Sequence, residues 1–564
     1  MRTEIISNDK LKGRAIAGTY VVLLAWDFVK SATTQRKNLL GFAIERTEFN
    51  GNTVVEKYWM KGIKRFKNKD KGLAAGTPVP TSEHPFQSFQ WSDYTAKHST
   101  DYQYRVVPAY GTPKLIELHE DDALTIDITT EAVMGNAPAA STNGVRHDLF
   151  FNRGVIGSQA YAREFGNVEP DPNNPFSKEM VWLSRGLFEA LLSFLNLAKN
   201  ERFALRAAVY EFYQPVANAF AKAAEAGADV KIVFDAESSY KEENEKTIQR
   251  AGLDMIGAVI PRTVTEGIRH NKFIVLLFDE KPIAVWTGST NISAGGIFGH
   301  SNVGHVVWDE STAQAYLEYW TRLSQNLTST KIRPLNKAAS PLPQGKPPKN
   351  SITPVFSPRD AKDNNDSLEW YADLMASAKK VMCITIAFNL DEVFQKVIQL
   401  ENDVLRYIVK DDNLGDDEII GQDKDVLFAA GSYFGEHSLF NFLRERDNPL
   451  NSNDYIHNKF MLIDPLGTDP VVVTGSANFS RPSQRINDEN MLVIRGDTRI
   501  ADIYFGEFLR IFDHHYARYV SRLLSQNDTS DPNAGYLKET DDWTDSHFNP
   551  DSYKAKRRKY FVTG

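Results

Sequence analysis

Two short stretches of the chain carry residues that can bind and cleave a phosphate ester. In the later stretch, His457 and Lys459 begin an apolar run that predicts a strand, and Asn478 follows the returning strand of the same hairpin. Side chains alternate between the two faces of a strand, so His457 and Lys459 are expected to point the same way. An imidazole, an ammonium and an amide directed at one point suit a phosphoryl group.

The earlier stretch repeats this set with His270, Lys272 and Asn291. The offset from His270 to His457 is 187 residues, and the offset from Asn291 to Asn478 is the same. Two copies with identical internal spacing are far more specific than one. Because each copy supplies only one imidazole, we expect both halves of the chain to build a single site.

The two motifs resemble those of the phospholipase D superfamily, whose signature is H-x-K-x4-D followed by G-S-x-N, present twice in each active unit. The second copy contains the whole signature: His457, Lys459, Asp464, Gly475, Ser476 and Asn478. The first copy contains His270, Lys272, Gly288, Ser289 and Asn291. Leu277 stands where the first copy's aspartate is expected. The resemblance covers residues 180 to 560.

Leu277 lies an odd number of residues after His270, so a regular strand places it on the opposite face from His270 and Lys272. The motif aspartate is therefore expected to be structural, and a leucine there can pack. The tyrosyl-DNA phosphodiesterase branch of the superfamily also lacks this aspartate, which keeps a nucleic-acid substrate open.

The resemblance implies a phosphodiesterase that needs no metal ion or other cofactor and forms a covalent phosphohistidine. It makes His270 the nucleophile and His457 the general acid and base, although the two roles could be exchanged. The lysines would neutralise the phosphoryl oxygens and the asparagines would hold them. The predicted catalytic residues are His270, Lys272, Asn291, His457, Lys459, Asn478 and Glu489. The predicted substrate-binding residues are Ser289 and Ser476.

Glu489 lies eleven residues after Asn478, where the superfamily has a carboxylate that orients a catalytic histidine. The matching position in the first copy is Asn302. An amide stabilises an imidazolium less than a carboxylate does, so the two histidines should differ in basicity. The motif does not say which histidine Glu489 supports.

The predicted fold is α/β, with two pseudo-symmetric mixed-sheet halves packed around one active site and an all-β sandwich before them. The domain boundaries are 1–135 for the sandwich, 136–335 for the first half, 336–355 for a proline-rich linker, and 356–564 for the second half with a basic tail. Residues 131–180 are expected to form extended loop. The segment Asp101–Ala109 resembles a strand of fibronectin type III domains, with Tyr102 or Tyr104 as the tyrosine corner.

Charge and composition bear on which substrates and partners the protein can bind. The net charge of −8 provides no global basic field for nucleic acid, and the acidic run from Asp411 to Asp425 disfavours a nucleic-acid track beside the second motif. We therefore expect a phospholipid substrate, with a nuclease or DNA-end phosphodiesterase as the alternative and a catalytically silent binding protein as a third possibility. The N-terminal domain could bind a protein partner, and a monomer is expected.

Two further features bear on the binding partners and the cellular compartment of the protein. The basic cluster Lys554–Lys559 suits either a nucleic-acid or anionic-lipid contact or a solvated tail. The polar N-terminus and the single cysteine, Cys383, predict a protein of the cytoplasm or one exported by a signal-independent route.

Overall fold

The computed structural model describes the chain except for residues 31–32, 75, 135–143, 155–157, 361–365, 389, 412–424, 432–449, 451–455 and 527–534. It contains an N-terminal all-β domain and two α/β halves, which confirms the predicted fold class. Within the described residues, no helix is both long enough and apolar enough to cross a bilayer.

The N-terminal domain is built from antiparallel strands. They are β1 Ile6–Ser7, β2 Leu11–Ala17, β3 Val22–Phe28, β4 Leu39–Asn50, β5 Thr53–Trp59, β6 Lys61–Gly62, β7 Val79–Pro80, β8 Gln90–Asp93, β9 Asp101–Thr112, β10 Leu115–Leu118 and β11 Leu124–Thr129, with the short helix α1 Thr33–Arg36. One sheet has the order β1-β2-β3-β8, and the other has the order β10-β9-β4-β5, with β11 also paired to β9. Their apolar faces enclose a core that includes Trp26 and Tyr104.

The hydroxyl of Tyr102 accepts a hydrogen bond of 2.9 Å from the backbone N–H of Lys97. A bond from this tyrosine to the backbone a few residues upstream is the contact that defines a tyrosine corner. The specific likeness to fibronectin type III stays a prediction.

The first α/β half is a seven-stranded mixed sheet with helices on its faces. Its strands are β12 Arg146–Phe151, β13 Phe203–Val209, β14 Asp229–Asp235, β15 Val259–Arg262, β16 Lys272–Phe278, β17 Lys281–Gly288 and β18 Val303–Trp308. Its helices are α2 Gln159–Phe165, α3 Lys178–Ser184, α4 Leu187–Leu195, α5 Gln214–Glu225, α6 Lys241–Arg250, α7 Glu310–Ser324 and α8 Ser329–Ala339. The strand order is β12-β18-β17-β16-β13-β14-β15.

The second half repeats this plan. Its strands are β19 Ser351–Ser357, β20 Val381–Ile386, β21 Leu405–Lys410, β22 Val426–Ala430, β23 Phe460–Ile463, β24 Val471–Gly475 and β25 Glu489–Arg495. Its helices are α9 Ser367–Ala376, α10 Glu392–Ile398, α11 Arg481–Arg485, α12 Thr498–Gln526, α13 Asp545–Phe548 and α14 Tyr553–Thr563. The order β19-β25-β24-β23-β20-β21-β22 matches the first sheet strand for strand.

The two sheets share one apolar core. Alternate residues of β16 and β23, among them Val275 and Leu462, enter this core together with side chains of α7 and α12. The intervening residues, such as Ile274 and Met461, pack outward against each half's own helices. Each strand therefore has two buried faces, which explains its nearly continuous apolar sequence.

Two predictions about local structure are wrong. Residues 131–180 contain β12, α2 and the start of α3 rather than extended loop, because Ser158 and Ser177 cap two short helices. The predicted linker 336–355 begins inside α8 and ends inside β19. Pro354 is accommodated because β19 is the edge strand of its sheet.

The basic C-terminal cluster is not a solvated tail. It forms α14, where Lys556 binds Asp425 at 2.7 Å and Arg558 pairs with Asp27 of β3. These ion pairs fasten the end of the chain to the second half and to the N-terminal domain.

Candidate functional site: two crossed histidines

The two catalytic motifs lie at the start of corresponding strands. His270 stands two residues before β16, whose first residue is Lys272, and His457 and Lys459 directly precede β23. A buried aspartate fixes the backbone just before each motif histidine. Asp235 accepts a hydrogen bond from the backbone N–H of Arg269 at 3.1 Å, and Asp411 accepts one from the backbone N–H of Ile456 at 2.6 Å. The sequence signal for these aspartates is an acidic residue at the end of a buried strand.

The structure brings the two histidines together across the interface between the halves. The ring centroids of His270 and His457 lie 6.4 Å apart, and both residues are buried. That spacing allows a phosphorus atom to lie between the rings, with a nucleophile on one side and an acid on the other.

Each histidine is held by a residue of the opposite half. Nδ1 of His270 donates to the carboxylate of Glu489 at 2.9 Å, and Nδ1 of His457 donates to Oδ1 of Asn302 at 3.1 Å. The carboxylate therefore supports the histidine predicted to be the nucleophile. Since both rings are held through Nδ1, Nε2 is the nitrogen left for chemistry in each.

The two motif serines lie behind these partners. Ser289 donates to Asn302 at 2.8 Å, and Ser476 donates to Glu489 at 2.6 Å, and both serines are fully buried. These contacts favour a positioning role for the serines over the predicted substrate contact.

The two lysines are buried beside the histidines. Nζ of Lys459 donates to the carbonyl oxygen of His457 at 2.7 Å, and Lys272 makes the same contact with His270. Burial lowers the pKa of Lys272 to about 7, although the negative charges of Glu489 and Glu211 oppose the shift. A buried ammonium of this kind is a strong site for a phosphoryl oxygen.

Burial also governs the protonation of the two imidazoles. It lowers the pKa of His270 to about 4, with Glu489 acting in the opposite direction. It lowers the pKa of His457 well below the usual value, and the nearby charge of Lys459 lowers it further. Both rings are therefore neutral at pH 7 in the free protein, and at His270 a carboxylate opposes the shift.

The motif asparagine of the first half contacts an acid that follows β13. Nδ2 of Asn291 donates to the buried carboxylate of Glu211 at 2.6 Å. Burial raises the pKa of Glu211. Oδ1 of Asn291 and Oδ1 of Asn478 are buried without a hydrogen-bond partner among the described residues.

Three residues near the two histidines were not predicted from the sequence: His300, Tyr210 and Glu211. The His300 ring lies 4.3 Å from that of His457, and the Tyr210 ring lies 5.0 Å from that of His270. Glu211 follows Tyr210. Strand β13 pairs Val209 with Lys272, which places the residues after β13 at the site. The position of Tyr210 and Glu211 at the site can be seen only from the order of the strands. His300 had a signal in the sequence, because it lies two residues before Asn302.

The motif aspartate is structural, as predicted. Asp464 accepts backbone N–H groups of the segment 379–381 at 2.7 to 3.1 Å and so anchors the loop that leads into β20. Leu277 is buried in the shared core, on the face opposite Lys272. In the first half, Asp279 binds Arg202 and ties the corresponding loop. Asp279 therefore contacts the corresponding loop of the first half through a solvent-exposed ion pair, from a position two residues after Leu277.

The described residues include no group of three or more histidine, cysteine, aspartate or glutamate side chains arranged to hold a metal ion.

A family model described as "Cardiolipin synthase, PLD-like domain" matches residues 191–324 and 372–512, which contain both motifs. Both halves are phospholipase D-like. The match and the doubled site confirm the prediction of an enzyme of the phospholipase D superfamily, a phosphodiesterase or phosphotransferase.

Solved structures give weaker similarities to this phospholipase D-like chain. Phosphatidylserine synthase from Haemophilus influenzae is 14% identical over 66% of this chain and 93% of its own, with a TM-score of 0.41. Nuc, a phospholipase D family member from Salmonella typhimurium, is 26% identical over 25% of this chain and 87% of its own, with a TM-score of 0.21. Polyphosphate kinase from Porphyromonas gingivalis is 12% identical over 55% of this chain and 46% of its own, with a TM-score of 0.36. No curated protein shows significant sequence similarity to the chain.

Proposed function

We propose that this protein cleaves or transfers a phosphodiester through a covalent phosphohistidine on His270. The observation that carries the proposal is the pair of facing imidazoles, of which one is supported by a carboxylate and the other by an amide. Phosphorylation of Nε2 gives a cationic ring when Nδ1 keeps its proton. Glu489 stabilises that cation, which favours His270 as the nucleophile.

In the first step Nε2 of His270 attacks phosphorus, and the bond from phosphorus to the leaving oxygen breaks. His457, protonated at Nε2, gives its proton to that oxygen. The negative charge of a bound phosphodiester raises the pKa of His457 and so supplies the protonated form that the free protein lacks. In the second step His457 takes a proton from water or an alcohol, whose oxygen attacks phosphorus and breaks the bond to nitrogen.

We propose a phospholipid as the substrate. Phe388 follows β20 by two residues, as Glu211 follows β13, and its side chain is 57% exposed at this corner of the second half. An exposed phenylalanine at this position suits an apolar substrate group. The matching family model is also named for a cardiolipin synthase.

A nucleic-acid substrate is supported less well by the surface charges. Lys556 and Arg558 of the basic cluster Lys554–Lys559 are used in ion pairs within the protein. Most of the acidic run beside the second motif, residues 412–424, lies outside the described residues.

The substrate test incubates the full chain with phosphatidylcholine or phosphatidylglycerol vesicles, and separately with single- and double-stranded DNA, with chelator present throughout. We expect turnover of phospholipid that His270→Ala abolishes and that His98→Ala, a change at an exposed histidine, leaves intact. Turnover of DNA alone would make the protein a nuclease. Activity that chelator removes and one metal restores would contradict the metal-independent mechanism.

The intermediate is tested with labelled substrate, a rapid quench and peptide mapping. We expect the His457→Ala protein to accumulate acid-labile, base-stable label on His270, because it lacks the group that activates water. Label on His457 in the His270→Ala protein would reverse the roles. If neither variant traps label and the configuration at phosphorus is inverted, water attacks directly.

A further inference from the structure

A buried acid beside the catalytic histidines takes no part in the proposed proton transfers. Glu211 lies two residues after β13 and is only 8% exposed. Strand β13 pairs with β16 in the register that places Val209 beside Lys272, and Nζ of Lys272 lies 5.3 Å from the centre of the Tyr210 ring. Glu211 therefore belongs to the wall of the site on the side of Lys272.

The carboxylate of Glu211 binds the asparagine of the first motif. Nδ2 of Asn291 donates to it at 2.6 Å, and the hydroxyl of Ser293 donates to it as well. Asn291 is the residue expected to hold a phosphoryl oxygen. An oxygen that accepts the second N–H of this amide would lie about 5 Å from the carboxylate, given ordinary hydrogen-bond lengths.

The negative charge of Glu211 is not explained by its hydrogen bonds. A neutral glutamine could accept the same two bonds without the cost of burying a charge. Burial raises the pKa of the Glu211 carboxyl, whereas the two donors and the positive charge of Lys272 favour its ionised form. The carboxylate repels any anion that binds beside it, and it repels a dianion twice as strongly as a monoanion.

We propose that Glu211 makes the site selective for phosphodiesters over phosphomonoesters. The inference rests on the proposed function, because it concerns the same phosphate site. A diester has one negative charge, whereas a monoester, with a second pKa of about 6, has nearly two at neutral pH. Attack of a neutral imidazole on a diester leaves the total charge of the ring and the phosphoryl group unchanged. The monoester product of hydrolysis becomes a dianion when it loses its proton, so Glu211 also favours release of that product.

Two small ligands of different charge test the selectivity without any turnover. Phosphorus NMR titration of the full chain at about pH 7.5 compares methyl phosphate, a dianion, with dimethyl phosphate, a monoanion. We expect Glu211→Gln to raise the affinity for methyl phosphate at least about tenfold more than the affinity for dimethyl phosphate. Glu237→Gln, at an exposed acid two residues after β14, should leave the ratio of the two affinities unchanged. Lys459→Met should weaken both ligands, which would assign the binding to this site.

The outcomes separate the role of Glu211 from the proposed function. An unchanged ratio in the Glu211→Gln protein, or equal weakening of both ligands, would overturn the proposal, because the residue would then only position Asn291. If Glu211→Gln does not fold, Glu211→Ala removes the charge without burying an amide and should change the ratio in the same direction. Failure of both variants to fold would make the carboxylate structural and would also overturn the proposal. If the unchanged protein binds neither ligand, the proposed function fails, and the selectivity fails with it.

Discussion

Replacing Lys272 with methionine should make the protein more stable while abolishing its activity. Lys272 is only 1% exposed, and burial lowers its pKa from 10.5 to about 7. A base whose pKa is lowered on folding destabilises the folded state wherever the unfolded chain still binds the proton. The cost is therefore complete below about pH 7, decreases as the pH rises, and disappears above about pH 10.5.

The size of the effect follows from the same shift. A shift of 3.5 pKa units corresponds to about 4 kcal/mol at pH 7 and about 2 kcal/mol at pH 9. The hydrogen bond from Lys272 to the carbonyl oxygen of His270 contributes about 1 kcal/mol in the other direction. With the unfolding entropy of a chain of 564 residues, the net gain at pH 7 is a rise of about 2 to 3 °C in melting temperature.

Scanning calorimetry of both proteins from pH 6 to pH 9 measures this difference. We expect the advantage of Lys272→Met to shrink steadily as the pH rises, whereas Lys281→Met, at an exposed lysine of the neighbouring strand, should show no such trend. A variant that is less stable than the parent at pH 7, or a difference that does not change with pH, would refute the argument that the ammonium is buried at a cost.

Three further predictions concern the site. Glu489→Gln should lower kcat about 100-fold or more with little change in KM, because the carboxylate supports the imidazole chiefly as charge develops; a matched loss after Asn302→Ala would instead show that the two partners are equivalent. The pH profile of kcat/KM should decline above about pH 7 as Lys272 loses its proton, and Lys272→Arg should move this decline to higher pH; an unmoved decline would assign it to another group. Leu277→Asp should destabilise the protein by about 3 kcal/mol or more by burying an unpaired carboxylate, so its melting temperature should drop; higher turnover at unchanged melting temperature would show that residue 277 reaches the site.

The sequence predicted the elements that carry the site better than it predicted their relation to each other. The doubled motifs, the paired hairpins and the packing of Leu277 follow from spacing and alternation, which are local properties. The partners of His270 and His457 could not be assigned, because they depend on how the halves dock. Tyr210 was missed for a similar reason, since the order of the strands brings it to the site.

The segments predicted wrongly have physical explanations of the same kind. Proline marked residues 336–355 as a linker, but an edge strand tolerates Pro354 because one side of the strand has no neighbour to receive an N–H. Helices α2 and α3 are only seven residues long, too short for apolar periodicity to reveal. Their capping serines were the available signal.

The crossed support of the histidines bears on why the two halves belong to one chain. In a symmetric pair of identical chains, both histidines must have the same partner, since every contact across the axis occurs twice. When the two copies are joined into one polypeptide, the two histidines can have different partners. One position then keeps a carboxylate and the other holds an amide. Covalent fusion is thus what allows a nearly symmetric scaffold to assign different tasks to two residues of the same type.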